Sequence, residues 1–233
     1  MASRVHRLFW PGLMALLMFL ILLGLGTWQV KRLAWKEGIL AQIAAGESAA
    51  AIPLPESPGA YVKVSVTGRF RRDLTALFGA DVRDFPSGPV MGAQLVVPLE
   101  RADGPPVLVD RGWIPLSVQV PVQWPDGPVT IDGYVQAPQK PGLFTPAPDT
   151  THRRFYALDP AVMGAALGLP RVAPFTLVAM GPTRPGDFPA PPQHLPRPPN
   201  NHLEYALTWY GLAGALVVVF ITWSRKVLSD DSV

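Results

Sequence analysis

The chain has no cysteine among its 233 residues. That excludes a disulfide scaffold, a thiolate metal site, a C-x-x-C redox centre and a covalently attached c-type haem. Cu(I) delivery is disfavoured too, because soft sulfur ligands are missing and no methionines cluster outside the apolar runs. No HExxH, GxSxG, Walker loop or GxGxxG occurs, so the common hydrolase, nucleotide and dinucleotide signatures are absent. No general acid–base pair can be nominated, and enzymatic activity is not expected. Charge is also unevenly spread. From Trp10 to Val30 there are 21 residues without a charge, and from Tyr205 to Ser224 there are 20.

About 20 apolar residues at 1.5 Å each match a hydrocarbon core of roughly 30 Å, so both runs are read as transmembrane helices. The first is too long for the apolar region of a signal peptide and is not directly followed by an A-x-A site. Trp28, Lys31 and Arg32 close it like an interfacial anchor, and a retained span is expected. The span begins too early to leave room for an Arg-rich transit peptide, which favours a bacterial inner-membrane protein over an imported one. Arg4 and Arg7 precede the first run, and Arg225 and Lys226 follow the second. The positive-inside tendency then places both tails in the cytoplasm and the middle domain in the periplasm. Lys31, Arg32 and Lys36 argue the other way, but long domains translocate with little regard to charge. Residues 37–204 hold 13 basic and 15 acidic residues, so no nucleic-acid surface is present.

Between the runs, Val62, Val64 and Val66 alternate at strand period, with a break at Gly68 before Phe70. Further apolar stretches cover Leu74–Ala80, Val90–Leu99, Pro106–Ile114 and Val129–Val135. Turn signals separate them at Phe85-Pro86-Ser87-Gly88, Asp103-Gly104-Pro105 and Pro125-Asp126-Gly127-Pro128. This spacing predicts an antiparallel sheet, closed or nearly so, with Pro98 and Pro115 at strand edges or ends. Asp159, Pro160 and Gly168 mark the cap, first residue and end of a helix. A last strand is expected over Pro174–Met180. Eight prolines in residues 182–199 predict an extended tether spanning some 50 Å, at about 3.1 Å per residue. The expected fold is a membrane protein whose two terminal transmembrane α-helices flank an α+β, mainly antiparallel β-rich periplasmic domain. Its parts are a tail over 1–8, a helix over 9–30, a helical extension and linker over 31–60, the β-rich domain over 61–181, the tether over 182–201, a helix over 202–224 and a tail over 225–233.

Three motifs bear on function. In Leu25–Lys36, Trp28 and Trp35 share one helix face, while Gln29, Arg32 and Lys36 share another. This is either an aromatic belt with snorkelling cations or a binding face for an anionic ligand. In Asn200–Ala213, His202, Tyr205 and Trp209 share a face. Either Asn201 or His202 caps the helix and the aromatics form an interfacial belt, or His202 ligates iron while aromatic neighbours pack on a macrocycle. In Val107–Pro115, Asp110 and Arg111 read as a surface ion pair at a strand end rather than as catalytic groups. His6, His152 and His194 form no ligand spacing.

Three blocks, Leu25–Arg32 with Trp35-Lys36, Leu108–Trp113 and Asn201–Ala213, together with Phe155–Asp159, resemble the Surfeit locus protein 1 family of cytochrome c oxidase assembly factors. They occur in family order and span the chain. The resemblance implies a bacterial member that binds haem A transiently and acts between haem A synthase and oxidase subunit I. The family histidine falls on His202, which would be the iron ligand. Tyr205 and Trp209 are added as contacts because they share its face. The alternative is a membrane-anchored scaffold that stabilises subunit I without a cofactor; a membrane-anchored enzyme would have only Asp110 and Arg111 to support it.

Overall fold

A computed structural model describes residues 2–86, 88–117 and 120–229, with side chains from residue 7 onward. The side chains of Arg4 and His6, Ser87 of the first turn signal and tail residues 230–233 lie outside the described residues. The elements in order are α1 (Ala2–Ser48), β1 (Ile52–Pro53), β2 (Lys63–Phe70), β3 (Ala76–Phe85), β4 (Gly88–Glu100), β5 (Val107–Pro115), β6 (Val129–Gln136), β7 (Arg154–Phe155), α2 (Pro160–Ala166), β8 (Thr176–Ala179) and α3 (His202–Ser229). They form two compact units. One holds residues up to 42 and from 197 onward, and the other holds residues 43–196. Both α1 and α3 are long and apolar enough to cross a membrane.

The central unit is a closed barrel. Its strands run β2-β6-β8-β5-β4, and Arg69↔Glu100 and Phe70↔Leu99 close β4 onto β2. Val64, Val66, Leu95, Val97, Leu99, Val107, Val109 and Leu177 fill the interior. They alternate with outward residues because successive strand side chains face opposite ways. Strands β4 and β5 are also covered outside, where Val96 and Leu108 pack with Phe155, Leu158, Met163 and Leu167 around α2. Asp159 caps α2 by accepting from the amides of Ala161 and Val162, Pro160 opens it, and Gly168 just beyond it has φ +72°. Each fully buried Val or Leu contributes about 1.5–3 kcal/mol, so a barrel buried on two faces of two strands needs no disulfide.

The antiparallel expectation holds only roughly. Pairs β1–β2, β3–β7 and β5–β8 are parallel among the described strands. The β5–β8 pair is part of the barrel itself, and parallel neighbours need a long crossover, which here contains β6, β7 and α2. Gly68 lies inside β2 rather than breaking it. Pro115 ends β5, whereas Pro98 lies within β4. Its carbonyl accepts from the Arg71 amide. It sits just past Ala76↔Val96, where β4 exchanges β3 for β2 as its partner, so its missing N–H falls at a seam where no ladder bond is lost.

The proline-rich segment is not a free tether over its first part. Residues 181–196 form a strap on the barrel. Trp113 and Ala190 exchange two backbone hydrogen bonds of 2.9 and 3.0 Å, and the Gln123 amide donates to the Phe188 carbonyl. The fully buried Trp113 ring lies 5.7 Å from Phe85 and 5.8 Å from Phe188. Farther on, Leu195 is buried, its amide donates to Glu47, and His194 Nδ1 lies 3.0 Å from the same carboxylate. These two contacts hold the Glu47 carboxyl below its ordinary range. The non-proline residues of the segment supply the donors and apolar bulk that the prolines lack.

The surface ion pair expected of Asp110 and Arg111 is corrected. A register shift opposite Gln94 and Val96 places Arg111 and Gly112 in a bulge of β5. Asp110 is buried, and its Oδ1 accepts from the Gly112 amide at 2.9 Å. Arg111 points to the other strand face, toward Phe70, so the two side chains cannot meet. Burial pushes the Asp110 carboxyl up to about 7, against the opposing influences of the Gly112 amide and Arg83. Gly112 has φ +116°, and a Cβ there would overlap the backbone of Ala190 and Pro191.

Two expectations follow. Gly112→Ala combines a left-handed conformation with overpacking and should cost roughly 2–5 kcal/mol in urea unfolding. It should also render residues 181–196 the first site of limited proteolysis. For Asp110, the folded pKa lies above the ordinary 3.8, so the native state keeps the proton longer. Stability is therefore greatest below about pH 4, falls as pH rises to about 7, and levels off above it. Asp110→Asn, which keeps the acceptor but cannot ionise, should gain roughly 2–4 kcal/mol over the parent at pH 8 and little at pH 4.5.

Candidate functional site

In the helical unit, Pro11 removes one α1 backbone bond but the helix continues through it. Further along α1, Leu22, Gly26 and Gln29 are buried, at i, i+4 and i+7. On α3 the buried residues are Ala206 and Ala213, and His202 and Trp209 on the same stripe are half-buried. Small residues let the helices approach closely, as helix pairs in lipid require. A Cβ on Gly26 would come within 2.7 Å of the Tyr210 ring. The Tyr210 hydroxyl lies 3.2 Å from Thr27 Oγ1. Lower in the pair, Gly12 faces Phe220. The order of these contacts makes the two helices antiparallel.

His202 is the first residue of α3. Its imidazole does not cap the helix. Nδ1 lies 2.7 Å from Oε1 of Gln29. An amide oxygen only accepts, so Nδ1 carries the proton and donates. In the neutral imidazole the other ring nitrogen, Nε2, then carries the lone pair that can ligate a metal. Helix entry is handled by the backbone, where the Tyr205 amide donates to the Asn201 carbonyl. Glu204 in the first turn suits the positive end of the helix.

The three residues grouped on one face of α3 divide in the structure. His202 and Trp209 lie along the seam, whereas Tyr205 is 54% exposed and turned outward. Gln29, Arg32 and Lys36 divide as well. Gln29 is buried against His202, and the Arg32 guanidinium stacks 3.8 Å over Trp35. Trp28 and Trp35 are exposed. Helical spacing alone singles out neither the Gln29–His202 pair nor Tyr210. A glutamine inside an otherwise apolar seam was the available signal, since a buried amide needs a partner.

Among the described residues no three His, Cys, Asp or Glu side chains gather to hold a metal ion. One imidazole with a fixed tautomer suits a metal that arrives with most of its ligands already in place, as in a metallo-macrocycle.

Residues 16–214 match the family model described as the SURF1 family. A SURF1-like protein of Rickettsia felis is 33% identical over 227 residues, covering 94% of this chain and 98% of its own. A SURF1-like protein of Monosiga brevicollis is 30% identical, covering 87% and 83%. Surfeit locus protein 1 of Homo sapiens is 28% identical, covering 88% of this chain and 73% of its own. The family match takes in most of α1, the whole barrel and the start of α3, and the chain belongs to the SURF1 family, known generally for cytochrome oxidase assembly.

Proposed function

We propose that this protein is an assembly factor of haem–copper cytochrome c oxidase that is anchored by α1 and α3 and takes haem A on His202. The observation that carries the haem reading is the hydrogen bond from His202 Nδ1 to the buried Gln29. It orients the ring and would leave Nε2 to hold the iron of haem A. Trp209 on the seam and the exposed Tyr205 offer flat apolar surface for a macrocycle edge. Arg32 and Lys36, one and two turns beyond Gln29 on α1, offer positive charge for its carboxylates. Haem A synthase is the supplier in this scheme, subunit I the recipient, and the protein makes no covalent change to its cargo.

The apolar lengths of α1 and α3 support anchoring in a bacterial inner membrane. Arg7, Arg225 and Lys226 beside them support cytoplasmic tails and a periplasmic barrel. The absence of cysteine makes this simple to test. Lys140→Cys, on an exposed loop, should react with a membrane-impermeant maleimide in cells whose outer membrane has been permeabilised. Labelling only after the inner membrane is broken would reverse the orientation.

For the cargo, protein purified from cells making haem A should carry a Soret band and extractable haem A. His202→Ala should lose it. Gln29→Leu should keep the histidine yet bind about 10- to 100-fold more weakly, as loss of a partner that orients a ligand does. Unchanged haem content in His202→Ala would remove the ligand assignment. A haem-free protein that still co-purifies with subunit I would leave a scaffold.

A further inference from the structure

Among the described residues, the central unit contains a half-buried cation with no carboxylate paired to it. Arg111 lies along a cleft of about 510 Å³, walled by Phe70 and Ile131 of the barrel and by Phe188 and Pro189 of the strap. Its guanidinium is stacked 4.5 Å from the Trp124 ring and 4.8 Å from the Phe70 ring. Nη2 donates to the Gln123 carbonyl at 2.7 Å, while Nη1 is buried with no hydrogen-bond partner. Among the described residues no carboxylate forms an ion pair with it, whereas Arg71, Arg72 and Arg83 each have one. The charge that acts on Arg111 is that of Arg72, another cation, and burial together with Arg72 pulls its pKa down to about 10.

A desolvated cation with a vacant donor is costly, and folded proteins pair such groups. The aromatic faces offset part of that cost but supply no acceptor for Nη1. We propose that this cleft binds a carboxylate, which the Arg111 guanidinium grips in its planar fork while the carbon body of the ligand rests on Phe70 and Phe188. Each Nη carries two N–H bonds, so Nη2 can keep its bond to the Gln123 carbonyl and still offer a second donor beside the unpartnered Nη1. A carboxylate matches that geometry in shape and charge. The rim favours a single negative charge over a phosphate dianion, because Asp132 and Asp187 stand there beside Arg184. The carboxylate can come from a free small acid or from an acidic side chain of a polypeptide.

Calorimetric titration of the full chain in detergent distinguishes these sources. The probes are sodium acetate, capped Leu-Glu-Leu and capped Leu-Gln-Leu peptides, and inorganic phosphate, each against chloride at equal ionic strength. Saturable binding of acetate and the Glu peptide is expected for a small-acid site, and of the Glu peptide alone for a polypeptide site. In either case Arg111→Met should bind about tenfold or more weakly while keeping its β-sheet circular dichroism. No saturable response to acetate or the Glu peptide overturns the proposal. So does equal binding of the Gln peptide, preference for phosphate, or undiminished binding by folded Arg111→Met. Should that variant fail to fold, the selectivity of the parent chain among the four probes decides alone.

Discussion

Gln29 and His202 meet at 2.7 Å in a seam that also holds Leu22, Gly26, Ala206, Trp209 and Ala213. An amide in such surroundings has few ways to be satisfied, and leaving it unpaired costs about as much as a lost hydrogen bond. The pair therefore sets the register of the two helices as well as the state of the imidazole. Sliding α3 by one residue would swing His202 about 100° around the helix and leave Gln29 facing an apolar side chain. Close approach at Gly26 and the ring of Tyr210 reinforce the same register by shape. Register, tautomer and availability of Nε2 thus have a single cause.

The barrel obeys the same requirement with other groups. The Asp110 carboxyl is buried and finds the Gly112 amide, which the bulge has freed from the ladder. Gly112, having no side chain, lets the strap backbone lie against it, and Trp113 and Ala190 exchange the hydrogen bonds that fix the strap. The short run Asp110-Arg111-Gly112-Trp113 thereby joins three tasks. It satisfies a buried acid, positions a cation over two rings and seats a segment eighty residues away in the chain. Arg111 Nη1 does not meet the requirement; among the described residues Arg154 Nε, Thr176 Oγ1, Asn200 Oδ1 and Ser224 Oγ share that condition, but Arg111 alone of them lines the cleft under the strap.

Much of this architecture was legible in the sequence, for identifiable reasons. The two apolar helices announce themselves because twenty uncharged residues have few other uses. The strands of the barrel show as β-branched runs between turn residues, and α2 shows through Asp159, Pro160 and Gly168, whose side chains or lack of them act locally. What was not legible depends on tertiary placement. The parallel β5–β8 pairing is invisible to periodicity, which reports burial rather than strand direction. The prolines of 182–199 suggested a free extended segment, but Phe188, Ala190 and Leu195 among them supplied anchors only a folded barrel could use. Asp110 read as exposed because acids usually are. On α3, helical spacing grouped Tyr205 with His202 and Trp209. The observed seam follows His202, Ala206, Trp209 and Ala213 instead, a difference of part of a turn that spacing alone does not resolve.

The position of β8 bears on the timing of folding. This strand lies between β5 and β6 yet is the last barrel strand in the chain. A nascent chain that has reached residue 170 can form the β3–β4–β5 meander, but β5 and β6 each keep an open edge until Thr176–Ala179 emerges. Open edges invite pairing with other chains, and contacts this distant in sequence form slowly. The barrel therefore closes late, and its two open edges persist until the last quarter of the polypeptide is being made.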